Sequence, residues 1–121
     1  MVSRIWDNAY NLRNLHAYAI REVKTIINGL QKAFESRVRL GIMSALAVND
    51  TLDFNALKEY LQVTDGNLAS HLKALEKEEF IETKKSFIGR RPNTKFSMTD
   101  QGKQAFEEHL TALEKLIRSQ R

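Results

Sequence analysis

The stretch VTDGNLASHLKALEKEEF, residues 63–80, decides how this chain is expected to fold. Three of its leucines recur at spacings of three and four residues, so Leu68, Leu72 and Leu75 share one face of a helix. Thr64 precedes the periodic part and is a suitable N-cap for that helix. The leucine face must pack inward, which leaves the opposite face free for another role.

The positions around the start and the opposite face of this helix are small, polar or cationic. They are Thr64, Asp65, Gly66, Asn67, Ala69, Ser70, Lys73 and Lys77. Side chains of this size can enter a DNA major groove, which is about 12 Å wide, without obstruction. Asn67 can pair with adenine through two hydrogen bonds, and Lys73 suits a guanine edge or a phosphate. We therefore predict that these residues contact DNA.

A reactive site built on Asp65, Ser70 and His71 is excluded by geometry. Adjacent residues on a helix point about 100° apart. The Ser70 hydroxyl and the His71 imidazole therefore cannot meet as nucleophile and base. His71 lies at the flank of the leucine face, where we expect it to hydrogen-bond a neighbouring helix; a phosphate contact is the alternative.

A basic segment follows, KKSFIGRRPNTK at residues 84–95, and it contains no acidic residue. Its cations, called here the hairpin cations, are Lys84, Lys85, Arg90, Arg91 and Lys95. The segment carries +5 in a chain of net charge +4, so the other residues sum to −1. Positive charge concentrated on one segment is typical of a protein that binds a polyanion.

The same segment has the pattern of a β-hairpin. We predict strands at residues 81–87 and 94–98, with GRRPN as the turn between them. Arg90 and Arg91 then lie at the tip, where they suit a DNA minor groove because its negative potential attracts arginine. The alternative is that these charges only keep an edge strand soluble.

The rest of the chain is predicted to be mainly helical. Apolar periodicity and breaker residues place helices at about residues 5–27, 30–48, 55–61, 64–79 and 99–118, and a short strand at 51–53. Two short helices joined by a tight turn and followed by a basic hairpin describe a winged helix-turn-helix. The predicted fold class is thus mainly α with a small β-hairpin. Residues 1–29 form an added amphipathic helix, and residues 30–121 form the winged-helix domain.

The added helix is the predicted dimerisation element, packing with the last helix of either subunit. The apolar residues assigned to this role are Ile5, Leu12, Leu15, Ala19, Val23, Ile26, Leu110, Leu113, Leu116 and Ile117. Packing of the added helix within one chain is the alternative.

Composition excludes several classes of function. A chain of 121 residues suits one domain, and the absence of cysteine rules out disulfides and thiolate metal sites. The sequence has no apolar run of signal-peptide or membrane-spanning type, so we expect a cytoplasmic protein. It also lacks the motifs of catalytic, cofactor or metal sites, so we expect no enzyme, no cofactor and no bound metal.

Three motifs resemble those of a family of small prokaryotic winged-helix transcriptional regulators. They are T-D-G-N-L-[AS]-x-H-L at residues 64–72, K-x-F-x-G-[RK]-x-P-x-T at residues 85–94, and T-x-x-G at residues 99–102. The resemblance covers about residues 30–116 and extends more distantly to the MarR and ArsR repressors. It implies DNA-binding transcriptional regulation by a dimer, and it names no effector. ArsR-like metal sensing is not expected, because the last helix offers only His109 beside Glu107 and Glu108.

The leading hypothesis is a homodimeric regulator, expected to be a repressor, that binds specific sequences of double-stranded DNA. It places the helix at residues 64–79 in the major groove and the basic hairpin in the minor groove. The alternative is a protein-interaction module that never touches DNA. Such a module should present aromatic or aliphatic anchors where this helix presents glycine, asparagine, serine and lysine.

Overall fold

The computed structural model describes residues 21–119 of the chain. In chain order the elements are α1 (residues 21–28), a 3-10 helix (Lys32–Phe34), α2 (Arg37–Val48), β1 (Leu52–Asp53), α3 (Phe54–Leu61), α4 (Asp65–Lys77), β2 (Ile81–Ile88), β3 (Arg91–Met98) and α5 (Asp100–Ser119). The predicted fold class is confirmed. Of the helix predicted over residues 5–27, residues 5–20 lie outside the described residues.

Short polar side chains set the starts of α3 and α4. The Asp53 carboxylate accepts a hydrogen bond from the Ala56 N–H at 2.8 Å. The Thr64 hydroxyl accepts one from the Asn67 N–H at 3.2 Å, which confirms the predicted cap. Each bond satisfies a backbone donor that the first helical turn leaves without a partner.

The second helix begins later than predicted. A continuous helix over residues 30–48 is wrong, because α2 starts only at Arg37, after an extended Ser36 whose hydroxyl accepts from the Arg39 N–H at 3.4 Å. The 3-10 turn ahead of it is capped by Gln31, whose side chain accepts from the Ala33 N–H. Local polar side chains thus compete with helix continuation, which apolar periodicity alone does not reveal.

Strands β1, β3 and β2 form one antiparallel sheet in that order, with β3 in the centre. The predicted five-residue turn GRRPN is wrong, since Ile88 pairs with Arg91 and only two residues, Gly89 and Arg90, form the turn. Gly89 has a φ of 64°, and a positive φ at the first central position alone is the pattern of a type II′ turn. Pro92 lies in β3 beyond the part that pairs with β1, so its missing N–H costs the sheet nothing on that side.

Residues 31–109 form one compact unit with its own core. Phe34 lies at the centre of an aromatic cluster, with ring centroids 5.2 Å from Phe80 and 5.7 Å from Phe106. Leucines from α3 and α4 complete the core, and Leu57 and Leu68 are fully buried. The hairpin and α4 therefore extend from a well-packed base.

Hydrogen bonds at the base of the hairpin join the segment that follows α4 to the residue that precedes α5. The Thr99 hydroxyl donates to the Glu79 carbonyl at 2.7 Å, and the Thr99 N–H donates to the Phe80 carbonyl at 3.1 Å. The same hydroxyl accepts from the Gly102 N–H at 2.9 Å and so caps α5. A Cβ at Gly102 would lie 2.0 Å from the Phe80 carbonyl oxygen, so this close approach requires glycine.

Of the described residues, those at 21–30 and 110–119 belong to a second compact unit. Within it, Ile26 and Ala112 are buried. Helix α1 ends at residue 28, as the sequence Asn-Gly predicts, and the Gly29 N–H donates to the Ile26 carbonyl at 2.9 Å. Of the helices in the described part of the chain, none combines the length and apolar character that a membrane span needs.

Candidate nucleic-acid interface

Helix α4 separates into the two faces that the leucine spacing predicts. Leu68, Leu72 and Leu75 are between 0% and 3% exposed. Every residue predicted to contact DNA is exposed, and this set is called the outer face of α4: Thr64, Asp65, Gly66, Asn67, Ala69, Ser70, Lys73 and Lys77. The structure therefore presents these side chains together on one accessible surface.

An ion pair that the sequence analysis missed joins α3 to the first turn of α4. Lys58 Nζ lies 2.6 Å from an Asp65 carboxylate oxygen. The left-handed conformation of Gln62, with a φ of 54°, makes the tight turn that brings these two helices together. No local spacing rule pairs Lys58 with Asp65, because the pair depends on the turn conformation. It offsets the one negative charge on the outer face of α4.

Gly66 occupies the second position of α4, and nothing within the described chain requires a glycine there. A Cβ built on it would meet no atom within 4 Å, and its φ is not in the left-handed region. Glycine costs a helix roughly 1 kcal/mol relative to alanine. Gly66 thus has a low helix propensity, and the packing of the described residues does not explain why a glycine is there.

His71 makes the contact with a neighbouring helix that its position predicts. Arg39 Nε, on α2, donates to His71 Nδ1 at 3.0 Å. An imidazole that accepts at Nδ1 carries its proton at Nε2 when neutral. Partial burial, and then the nearby Arg39 charge, lowers the pKa of His71, so the neutral ring is favoured.

The hairpin cations are all exposed, and strand alternation divides them between the two faces of the hairpin. Lys84 and Lys95 are directly opposite each other in the ladder, and Arg91 shares their face. Lys85 lies on the other face, and Arg90 lies in the turn. The expectation of two arginines at the tip is therefore corrected: Arg90 occupies the turn, whereas Arg91 is the first residue of β3.

Within residues 21–119, no hairpin cation forms an ion pair with a carboxylate. The direct pairing of Lys84 with Lys95 also places like charges opposite each other, an arrangement that disfavours a strand pair. Asp53 of β1 lies opposite Lys95 on its other side and offsets part of this cost. The remaining positive charge lies on a projecting hairpin. An external anion would relieve that cost.

The predicted dimerisation residues fall into two groups. Ile5, Leu12, Leu15 and Ala19 lie outside the described residues. Of the others, Ile26 is buried, Val23, Leu113 and Leu116 are partly buried, and Leu110 and Ile117 are 44% and 59% exposed.

His109 has a structural role that the sequence analysis did not foresee. It is 4% exposed, its Nδ1 accepts from the Gln31 N–H at 2.9 Å, and its ring packs edge-on against Phe34. Burial lowers its pKa, while the nearby Glu35 charge acts in the opposite direction. In the described part of the chain, no group of three or more His, Asp or Glu residues is arranged to hold a metal ion.

A helix pair joined by a tight turn, a solvent-facing second helix and a projecting antiparallel hairpin together define a winged helix-turn-helix. The chain belongs to the family described as winged helix DNA-binding domain, which it matches over residues 38–117. This confirms the resemblance to prokaryotic winged-helix regulators, and both the family and the fold are those of transcriptional regulators.

Known proteins similar to this chain agree with that family. An uncharacterized protein of Methanocaldococcus jannaschii is 46% identical over 79 residues, which cover 65% of this chain and 86% of that protein. A transcriptional regulator homologue of Pyrococcus horikoshii OT3 has a TM-score of 0.71 at 33% identity, over 81% of this chain and 95% of that one. Bacillus subtilis PadR, solved in complex with operator DNA, has a TM-score of 0.56 at 20% identity, over 62% of this chain and 48% of that one. This last likeness is one of fold alone.

Proposed function

We propose that this protein is a homodimeric repressor that binds specific sequences of double-stranded DNA. Helix α4 lies in the major groove, and the hairpin lies in the flanking minor groove. The observation that carries the proposal is that two groups of DNA-compatible side chains are exposed within a single compact unit, residues 31–109. These groups are the small and polar outer face of α4 and the five hairpin cations, which have no carboxylate partner within residues 21–119.

The composition of the outer face of α4 supports major-groove binding. Asn67 and Ser70 supply hydrogen-bonding groups for base edges, and Ala69 offers a methyl group to thymine. Gly66 leaves room for the helix backbone to approach the duplex, which accounts for a glycine that internal packing does not require. Lys73 and Lys77 follow one turn apart, at a spacing suited to phosphates or a guanine edge.

The hairpin supports the minor-groove contact. A two-residue turn makes it narrow, and Arg90 in that turn is the side chain best placed to enter a groove of high negative potential. Lys84, Arg91 and Lys95 on one face, with Lys85 on the other, are available to phosphates on either side. Phosphate contacts supply affinity and orientation, and the base contacts of α4 supply specificity.

Exposed apolar residues of the second compact unit support the dimer. Leu110 and Ile117 are seven positions apart on α5 and so share one face, and Ile27 on α1 is 51% exposed. A two-fold dimer would place its two α4 helices about 34 Å apart, in successive major grooves. Bacillus subtilis PadR has this fold and was solved with operator DNA, which supports an operator as the target. A dimer bound there would act by occupying the promoter.

A salt titration tests the DNA-binding proposal. Duplexes selected by the protein from random sequence are titrated by fluorescence anisotropy at several salt concentrations. We expect log K to fall with log[salt]. The variant Arg90→Ala with Arg91→Ala should reduce the slope by about 2, at about 0.9 for each phosphate that the protein no longer neutralises. The control Lys103→Ala with Lys115→Ala removes the same charge from α5 and should leave the slope unchanged. Failure to select any duplex would overturn the proposal.

The dimer has its own test. Leu110→Glu with Ile117→Glu should convert a dimer to a monomer in sedimentation equilibrium, because charged side chains cannot be buried unpaired in an interface. The variant Gln101→Glu with Gln104→Glu, at exposed positions of α5, adds the same charge and is the matched control. A wild-type protein that sediments as a monomer at micromolar concentration would contradict the homodimer.

A further inference from the structure

The outer half of the hairpin exposes two large apolar side chains. Phe87 is 73% exposed and Ile88 is 67% exposed. They are consecutive in β2 and therefore point to opposite faces of the hairpin. Phe87 pairs across the ladder with Pro92, whereas Ile88 pairs with Arg91. An apolar surface of Phe87 and Pro92 thus lies next to the turn, on one face only.

Within residues 21–119, the fold leaves the Phe87 side chain 73% exposed and gives it no packing role. Its face is continuous with the core at the inner end of the hairpin, where Ile81 and Phe96 are buried. That burial ends further out, and from residue 84 to residue 92 every side chain is exposed. If solubility were the only requirement at this exposed position, a polar residue would be favoured there. An aromatic ring kept in water therefore indicates a function outside the folded unit.

We propose that Phe87 is a wedge residue, which enters the minor groove beside Arg90 and inserts its ring against a base step, so that the step unstacks and the duplex kinks. The inference rests on the DNA-binding function proposed above. Phenylalanine, leucine, isoleucine and proline are the side chains that minor-groove proteins use in this way. The ring is held at the narrow tip of a hairpin whose cations anchor phosphates on both sides of it.

The chemistry around Phe87 favours DNA over a protein partner. The segment at residues 84–95 carries five cations and no acid, and no described carboxylate pairs with them. The buried centres of protein interfaces are depleted in charged residues, lysine above all. Phe87 shares its face with Lys85 and lies near the turn that holds Arg90, while Lys84, Arg91 and Lys95 line the opposite face. This arrangement fits a polyanion in which apolar bases lie between two rows of phosphates.

The pairing pattern singles out Phe87 over its neighbour. Phe87 extends the apolar surface onto Pro92, so the two side chains can enter a base step together. Ile88 shares its face with Lys84, Arg91 and Lys95. The two residues are matched in exposure and differ in face, which makes Ile88 the internal control for Phe87.

A wedge adds sequence preference at positions that α4 does not touch. Pyrimidine–purine steps unstack most easily, so they are the steps that a wedge selects. We expect the duplexes selected by the wild-type protein to contain such a step at the site of the hairpin contact. The variant Phe87→Ala should select duplexes in which that step is no longer enriched.

The test places 2-aminopurine at successive positions of one selected duplex and measures its fluorescence, which rises when a base unstacks. The wild-type protein should raise the signal at one step in each half-site. Phe87→Ala should return it to the free-duplex level, and Ile88→Ala should leave the rise intact. Phe87→Leu keeps an apolar wedge and should retain part of the rise. Affinity should fall about tenfold for Phe87→Ala, since the ring loses its buried surface.

Each result is decisive for one of the two proposals. Because Phe87 and Ile88 are exposed, the variants should keep the wild-type circular dichroism spectrum and melting temperature. Tight binding of wild-type protein without any fluorescence rise would overturn the wedge and leave the DNA-binding function standing. An equal loss of signal in Ile88→Ala would also overturn it, because the effect would then belong to the tip as a whole. Failure to bind any duplex would overturn the function on which the wedge rests.

Discussion

Arg39 Nε on α2 donates a hydrogen bond to His71 Nδ1 on α4 at 3.0 Å. His71 follows Ser70, which belongs to the outer face of α4. The bond therefore joins the helix proposed to enter the groove to a helix whose residues Ile42 and Met43 lie in the core. It supports the rotation of α4 that the buried leucines set, and it favours the neutral tautomer of His71 that is protonated at Nε2.

Loss of this bond should weaken both folding and DNA binding. We expect Arg39→Ala to lower the free energy of unfolding by about 1 kcal/mol, the usual net value of such a hydrogen bond, in urea denaturation. Arg37→Ala is the matched control, because it removes the same charge from an exposed position two residues away. Equal effects of the two substitutions on stability and on DNA affinity would mean that the bond to His71 does not orient α4.

The buried His109 should make stability dependent on pH. Burial lowers its pKa in the folded protein, whereas in the unfolded chain the imidazole has its ordinary value of 6.5. As the pH falls through 6.5 the unfolded chain takes up the proton first, so stability is complete above 6.5 and decreases below it. His71 acts in the same direction, since its pKa is also lowered.

Thermal unfolding between about pH 7.5 and about pH 5.5 measures this effect, because that window spans the titration of an ordinary histidine. Wild-type protein should lose melting temperature as the pH falls. His109→Gln should be less stable at the upper pH, through loss of the packing against Phe34, and should show a flatter dependence on pH. The same slope in His109→Gln and in the wild type would exclude His109 as a source.

Substitution by alanine should change the stability of the protein in opposite directions at Gly102 and at Gly66. Gly102→Ala should destabilise the protein by about 3 kcal/mol or more, because the new Cβ would lie 2.0 Å from a backbone oxygen that cannot move freely. Gly66→Ala meets no atom within 4 Å and should stabilise the protein by up to about 1 kcal/mol. In calorimetry the two variants should therefore move the melting temperature apart. If Gly66→Ala also weakens DNA binding, the glycine serves the close approach of α4 to the duplex.

Substitution of Asn67 should change the sequence specificity of DNA binding, whereas substitution of Lys77 should change its affinity for all duplexes. Asn67→Ala should relax the preference for one base pair by about 1–3 kcal/mol, the usual value of a two-bond contact to adenine. Lys77→Ala should weaken all duplexes alike and reduce the salt slope by about 1. Binding to a panel of single-base-pair variants measures both. If the two substitutions have the same profile across the panel, Asn67 does not contact a base.

Periodic apolar residues were enough to predict most of the fold and the division of α4 into two faces. They predict Leu68, Leu72 and Leu75 in the core because burial follows helical spacing. They do not predict where α2 begins, since that depends on the hydrogen bond between Ser36 and the Arg39 N–H. Apolar periodicity predicts which residues are buried. It does not predict where a polar side chain bonds to the backbone in place of helix continuation.

Details of the candidate site depend on contacts between residues far apart in sequence. The Lys58–Asp65 pair depends on the left-handed conformation of Gln62. The sequence does not predict that conformation, because position 62 is neither glycine nor asparagine. The role of His109 needs Gln31, 78 positions earlier in the chain. Residue types alone identified the hairpin cations, but the position of the turn, and with it the face of each cation, is fixed only by the strand register.

The closed base of the hairpin has a consequence for the geometry of the DNA target. Thr99 holds the chain at Glu79 and Phe80, and Thr83 of β2 donates a hydrogen bond to Glu76 of α4. These bonds tie the base of the hairpin to α4, so under the proposed binding mode we expect the distance between the points where the two elements meet DNA to vary little. One base pair inserted between those points shifts them by about 3.4 Å and rotates them by about 35°. A half-site lengthened in this way would allow contacts from either α4 or the hairpin but not from both, so we expect each half-site of the proposed target to have a single permitted length.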